Sequence, residues 1–396
     1  MNGHPAPRRQ VASIETFIAT SSRDTPYLGP LGPGETVNSR GYIVRKGNGT
    51  IYPTVDRSVV VRVITDDGAV GWGETYGICA PRATCEIINE LLAPVLAGRD
   101  PEDVEAIWDD LYGLMRVRGC TGGFHTDAIA ALDMALWDLR ARGRGVSVAE
   151  LLGGQGRTEI PCYLSGLPAA TLAERVRLAL EWQDRGINSF KFAAVVSHEG
   201  VAEEFAALRA ALGPDAEIMA DLHWKFSAAE ATALARAVHQ HDPFFLEAPV
   251  KPEDIDGLAA VCEESPVPIA GGEEWATSYE AQLRLGPCKV RYVQPEMAHT
   301  GITQFCRIAA LAARHGVTLA PHATIGVGIF LAASLQASAH VGKLWKHEWQ
   351  HSIFDRNLAL LDTDMACADG YYQLPTGPGL GVTPNAGFWE RVERVG

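Results

Sequence analysis

"IMADLHWKF", residues 218–226, begins with three apolar residues that read as the end of a buried strand, then sets Asp221 and His223 two positions apart. Side chains at i and i+2 of a strand share a face, so two ionisable groups leave this strand end together. On either side of it, from about residue 159, short apolar runs ("IPCYLSGL", "NSFKFAAV", "FFLEA", "VPIAGGEE", "VRYVQPE", "VTLAPH", "LWKHE") alternate with amphipathic stretches such as "SAAEATALARAVHQH" and "ITQFCRIAALAARHG". Eight strand-like runs separated by helical patterns predict an α/β fold, a (β/α) barrel.

The ends of the later runs carry Asp221, Glu247, Glu273, Glu296, His322 and Glu348, at successive spacings of 26, 26, 23, 26 and 26 residues. That is one polar residue per βα unit. Strand C-termini of a parallel barrel open on one face, so these six side chains should converge on one pocket. Asp221, Glu247 and Glu273 offer hard oxygen ligands from adjacent strands, a donor set suited to Mg²⁺. Without a cation, three carboxylates in one pocket would repel and at least one would take a proton. His322 titrates near neutral pH and is the candidate general base, with Glu296 one strand earlier to orient it. His223 can supply a proton to a leaving hydroxyl or only hydrogen-bond a ligand carboxylate.

Before the barrel pattern, "QVASIETFIAT" and "SVVVRVITDDGAVGWGETYG" read as strands of an antiparallel meander turning at Asp67-Gly68, followed by three helical patterns, an α+β module. The expected division is a disordered tail over 1–10, the α+β module over 11–145 with 365–396 returning to it, and the barrel over 146–364. Residues 20–56 form a long Gly- and Pro-rich loop of the kind that is either a functional lid or disordered. A net charge of −14 without a basic block argues against nucleic acid or an anionic membrane as partner. Eight cysteines without a C-x-x-C pair read as reduced core thiols, and no apolar run reaches 18 residues, so a cytoplasmic location is expected.

The segments "DDGAVGWGE", "ALDMALWDLRARGRGVSVAELLGG", "DLH", "LEAPV", "AGGEEW", "VQPEMAHTGIT", "LAPHATIG" and "GPGLGV" together resemble the enolase superfamily, specifically its mandelate racemase subgroup and the sugar-acid dehydratases of the galactonate dehydratase type. The resemblance implies an α+β capping domain over a modified (β/α)7β barrel and one Mg²⁺ per subunit on Asp221, Glu247 and Glu273. It implies a His322 dyad with its partner on the preceding strand, Glu348 bonded to the substrate carboxylate as it becomes an ene-diolate, and His223 as the acid for the departing hydroxyl. Homo-oligomers are usual in the superfamily, which sets the same expectation here. The superfamily's use of a Lys or His base with Mg²⁺ is general knowledge of such sites.

Two positions depart from the subgroup pattern. The second barrel strand commonly carries K-x-K, whose second lysine is a base opposite the histidine; here "FKFAA" gives Lys191 and then Ala193. A methyl group cannot move a proton, which argues against racemisation and leaves Lys191 to neutralise the substrate carboxylate. Glu296 also stands where aspartate is usual. The expected function is Mg²⁺-dependent dehydration of an aldonate or aldarate to a 2-keto-3-deoxy acid. A lactone cycloisomerase, an epimerase and a catalytically silent sugar-acid-binding barrel are the alternatives. Substrate contacts are expected from Lys191, Glu348 and the long loop, where Arg23, Tyr27 and Arg45 are the candidates.

Overall fold

A computed structural model describes residues 9–22, 29–154, 156–323 and 326–396. The chain starts with a meander: β1 (Val11–Ser21), a short hairpin of β2 (Tyr42–Val44) and β3 (Ile51–Pro53), then β4 (Asp56–Thr65) and β5 (Val70–Tyr76). β1 pairs antiparallel with β4, and β4 with β5. The 20–56 stretch thus contains the β2–β3 hairpin where the sequence suggested only loop. Tyr42, Ile43 and Val44 against Ile51, Tyr52 and Pro53 supply the β-forming residues, with Asn48-Gly49 between them to turn the chain.

The 20-residue helix Phe124–Gly143 is buried on nearly every side. A helix apolar all round belongs inside a protein, and this one lies between β5 and the helix Met297–Arg314. The "GWG" of the first module explains the close approach. A Cβ added at Gly73 would sit 1.8 Å from the Ala131 carbonyl oxygen, and one at Gly71 would sit 2.1 Å from that of Ala135.

The barrel follows. Its strands are β6 (Glu159–Ser165), β7 (Ser189–Ala193), β8 (Glu217–Asp221), β9 (Phe245–Glu247), β10 (Ile269–Gly271), β11 (Tyr292–Val293), β12 (Thr318–Leu319) and β13 (His347–Trp349). β6 to β12 pair in parallel, each with the next. β13 pairs with β6, and a Leu319–Leu344 bridge closes the ring. Among the described residues this makes eight parallel strands. Reciprocal capping boxes, Thr171 with Glu174 and Ser227 with Glu230, start two of the outer helices and stop the βα loops at defined points.

The C-terminal stretch divides between the two modules. Tyr371–Gln373 pairs with β6 of the barrel, whereas Val392–Arg394 pairs with β1 of the meander. Tyr372 is fully buried and its hydroxyl donates to the Glu348 carbonyl, which ties the 371–373 segment to the barrel.

Candidate active site

The C-terminal ends of the barrel strands open into a cavity of about 800 Å³, roofed by residues 29–33, the β2–β3 hairpin and the 76–79 segment. Asp221, Glu273, His322 and Glu348 line it together with Lys191, Ala193, His223 and His299.

Asp221, Glu247 and Glu273 each offer a carboxylate oxygen, all within 4.8 Å of one another. Glu273 Oε2 is buried and makes no hydrogen bond among the described residues, although His322 Nε2 stands 3.3 Å away. Burial raises all three acids above the ordinary carboxylate range, Asp221 to about 6 and Glu273 furthest, and repulsion from neighbouring carboxylates, Glu348 for Asp221 and other members of the triad for Glu247 and Glu273, adds to the shift. A hard divalent cation fits this donor set and would satisfy the orphaned oxygen.

The backbone just beyond Asp221 and Glu247 is held in the left-handed region: His223 at φ 48°, Trp224 at φ 54° and Ala248 at φ 46°. Such conformations cost roughly 1–3 kcal/mol each and persist where the surroundings enforce them. Here the Trp224 N–H donates to the Ala248 carbonyl and the Ala248 N–H to that of Ala270, stitching together the loops that follow β8, β9 and β10. His223 is folded back on Asp221. Its Nε2 lies 3.0 Å from Oδ2, its Nδ1 3.3 Å from the Asp221 carbonyl oxygen, and its own N–H donates to Oδ1. Burial pushes the imidazole down to about 4, so it is neutral at pH 7.

Lys191 Nζ lies 2.7 and 2.8 Å from the two oxygens of Glu247 and 3.1 Å from Glu348 Oε1. Gln294 donates a further bond to Glu247 Oε2. Burial opposes the ammonium charge, but Glu247 and Glu348 overcome it and raise Lys191 well above its ordinary value. Burial would likewise raise Glu348, yet Lys191 and His322 bring it down to about 2.

His322 Nδ1 is 2.6 Å from Glu296 Oε2, and its Nε2 faces Glu273 and, at 3.5 Å, Glu348 Oε2. Burial alone would lower this imidazole, but Glu273, Glu348 and Glu296 lift it well above the ordinary range. The longer glutamate has two tasks. Its Oε2 meets His322 while Oε1 accepts from the Ala298 N–H as the N-cap of the helix Met297–Arg314.

The start of the helix Ile329–Ser338 is anchored from the other module. Glu74, fully buried on β5, accepts the N–H groups of Val327, Ile329 and Phe330 at the start of the helix Ile329–Ser338.

Of the roof candidates, Arg45 lies in an ion pair with Glu35 at 2.8 Å and also donates to the carbonyls of Gly29 and Pro30. It is 5% exposed, outside the cavity lining, and holds the 29–35 segment in place. Arg23 and Tyr27 lie outside the described residues. Three lining residues that the strand spacing did not single out are Tyr52, His299 and Arg356. Asn48 donates to the Tyr52 hydroxyl at 3.2 Å, and burial raises that phenol to about 12. Arg356 pairs with Asp56.

Comparison with known proteins follows the two modules. Residues 50–153 match the mandelate racemase/muconate lactonizing enzyme N-terminal domain, and residues 174–387 match the enolase C-terminal domain-like family. The chain is 32% identical over 342 residues to D-galactarolactone cycloisomerase of Agrobacterium fabrum, covering 83% of this chain and 89% of that protein. It is 33% identical over 352 residues to D-galactonate dehydratase of Ralstonia nicotianae, covering 84% and 90%. A solved member of the enolase superfamily from Agrobacterium tumefaciens superposes with a TM-score of 0.95 at 55% identity, over 98% of this chain and 99% of that one. A mandelate racemase/muconate lactonizing protein from Paracoccus denitrificans, crystallised with magnesium, superposes at 0.82 with 26% identity, over 98% and 99%. With both modules matched and a triad of acids at the barrel mouth, the chain belongs to the enolase superfamily, in its mandelate racemase subgroup.

Proposed function

We propose that the protein is a Mg²⁺-dependent sugar-acid dehydratase that removes the α-proton of an aldonate or aldarate and expels the β-hydroxyl to give a 2-keto-3-deoxy acid. The observation that carries this reading is the pairing of one acid triad with one base dyad. Asp221, Glu247 and Glu273 face His322–Glu296, while the position of a second base holds the methyl of Ala193. Bound on the triad, Mg²⁺ would supply positive charge for the substrate carboxylate and offset the pull of Glu273 on His322. Lys191 supplies a second positive charge beside it, and Glu348 keeps that lysine in place. His322 Nε2 takes the α-proton, and Glu296 on Nδ1 stabilises the imidazolium that results. Charge that develops only after proton transfer is met by groups already in position, which is how such a barrier is lowered.

The A. fabrum relative supports a second reading, a lactone cycloisomerase. A single base is enough for it too, because an α-proton is lost and a C–O bond then breaks.

Purified protein with Mg²⁺ should be screened against aldonic acids, aldaric acids and their lactones, with a chelator control. Water loss from an open-chain acid, sensitive to chelator, supports dehydration, whereas turnover confined to lactones establishes the second reading. An epimerised substrate deuterated at the α-carbon in D₂O would overturn both, since inversion requires a second base.

A further inference from the structure

The elimination needs an acid for the departing oxygen, and the structure holds a second histidine–carboxylate pair. His299 Nδ1 lies 2.6 Å from Asp127 Oδ1. His299 lines the same cavity as His322 and keeps a quarter of its side chain exposed, while Asp127 is 6% exposed behind it. Among the described residues, Nε2 of His299 makes no hydrogen bond, so the nitrogen opposite Asp127 is the one left for a ligand.

The pair is built from both modules. His299 sits on a single turn, residues 297–300, which Gly301 at φ 62° separates from the rest of its helix. A Cβ at Gly301 would meet Asp133 Oδ2 at 2.7 Å, so the break is set by packing against the helix Phe124–Gly143 that also carries Asp127. Thr75 of β5 donates to the Ala298 carbonyl at 2.6 Å, and the Tyr76 ring meets the His299 ring edge-on at 4.5 Å. His299 is therefore clamped by a carboxylate, a strand and an aromatic ring, the support that an acid–base histidine requires. His223, by contrast, has both ring nitrogens turned to Asp221.

Resting on the α-proton-abstraction reading above, we propose that His299, held by Asp127, is the general acid that protonates the departing oxygen. His322 Nε2 takes the α-proton, and the C–H electron pair passes into the ene-diolate. That pair then forms the Cα=Cβ bond as the Cβ–O bond breaks, and the oxygen leaves with its bonding pair and takes the proton from His299 Nε2. The resulting enol gives the 2-keto product, His322 releases the α-derived proton to solvent, and His299 takes one up, so both residues return to their starting state. Asp127 favours the charged imidazolium from which this proton comes; although burial opposes that charge, the carboxylate raises His299 above the ordinary histidine value.

The test uses His299→Gln and Asp127→Asn in the full-length protein with Mg²⁺, taking D-galactonate as the first probe and then each acid or lactone of the panel. Two readouts are followed in D₂O, product formation and deuterium entering recovered substrate at the α-carbon. For His299→Gln, product formation should fall by at least about 100-fold while α-exchange stays within about threefold of wild type. A β-fluoro analogue, whose leaving group needs no proton, should restore the variant to within about tenfold of wild type. Asp127→Asn should fall between the two. Wild-type turnover retained in His299→Gln, loss of exchange together with turnover, or failure of the fluoro analogue to rescue would each overturn the assignment. If wild type turns over nothing in the panel, the function proposed above fails and takes this acid with it; turnover by wild type and variant alike removes only His299.

Discussion

At the floor of the cavity stand Asp221, Lys191 and Glu348 on the barrel strands, with Glu247 fully buried behind them, each under 8% exposed and each with a named charged or hydrogen-bonding partner. The roof is made of the 29–33 segment and the β2–β3 hairpin, where Leu31 and Ile51 remain more than 40% exposed and the fixed points are Arg45–Glu35 and Asn48–Tyr52. A strand end surrounded by other strands leaves a side chain one place to go. A hairpin over a cavity can present many side chains at small cost. On the function proposed above, the floor carries the chemistry and the roof the choice of substrate, a division that substitutions in either region can break.

The largest effect is expected from Asp221→Asn. Removing one of three anionic ligands should weaken Mg²⁺ binding, measured by calorimetry, and lower turnover by roughly three orders of magnitude, on the scale of losing a preorganised electrostatic contact. Undiminished Mg²⁺ affinity would take Asp221 out of the ligand set. Next comes Glu296→Asp, which shortens the side chain that reaches both His322 and the Ala298 N–H. A one-methylene change should lower kcat by about 10–100-fold, as a displaced orienting group does, with Mg²⁺ binding unchanged. Wild-type kcat would mean that the dyad tolerates either length.

A smaller effect tests the charge balance of the floor through stability. Asp221 has its folded value raised from 3.8 to about 6, so without metal it binds its proton more tightly folded than unfolded. The stability it contributes is fully present below 3.8 and lost as pH rises through about 6. Glu348 has the opposite sign: held at about 2, it stabilises above its unfolded value of 4.5 and loses that contribution as pH falls through about 2. Metal at a hundredfold excess over Kd adds roughly 2.7 kcal/mol, a rise in Tm on the order of 5 °C. The gap between Mg²⁺-loaded and chelator-treated protein should therefore be wide at pH 8 and narrow near pH 5. A gap independent of pH would show that the triad carries no proton in the metal-free protein.

The floor is legible in the sequence because a barrel repeats one unit, and a repeat turns linear spacing into convergence in space. The residues from Asp221 to Glu348 needed no knowledge of loops to be placed on one face. His299 escaped that reading because it lies one turn into an apparently continuous helical pattern, and its partner Asp127 is 172 residues away in the other module. The signal that could have found it was Gly301 within "EMAHTGIT", which cuts the helix just after the histidine. Arg45 illustrates the converse. A loop arginine suggested a carboxylate contact, but the sequence could not reveal that Glu35, ten residues earlier, already holds it. Pairings inside an irregular segment have no period to disclose them.

The smallest effect is expected on the roof. Tyr52 reaches down from β3 into the cavity, and with its ionisation pushed up to about 12 it remains a neutral phenol throughout the working range. It can therefore hydrogen-bond a substrate hydroxyl but cannot act as a base at neutral pH. Tyr52→Phe keeps the buried ring and takes from the substrate one hydrogen bond, worth about 0.5–1.5 kcal/mol, so KM should rise roughly two- to tenfold while kcat stays within about twofold, because the binding lost is shared equally by ground state and transition state. The ratio between two sugar acids that differ at one hydroxyl should move by a similar factor. If kcat instead fell a hundredfold with KM unchanged, the phenol would be interacting with the reacting atoms, and the division between a chemical floor and a selective roof would not hold for this enzyme.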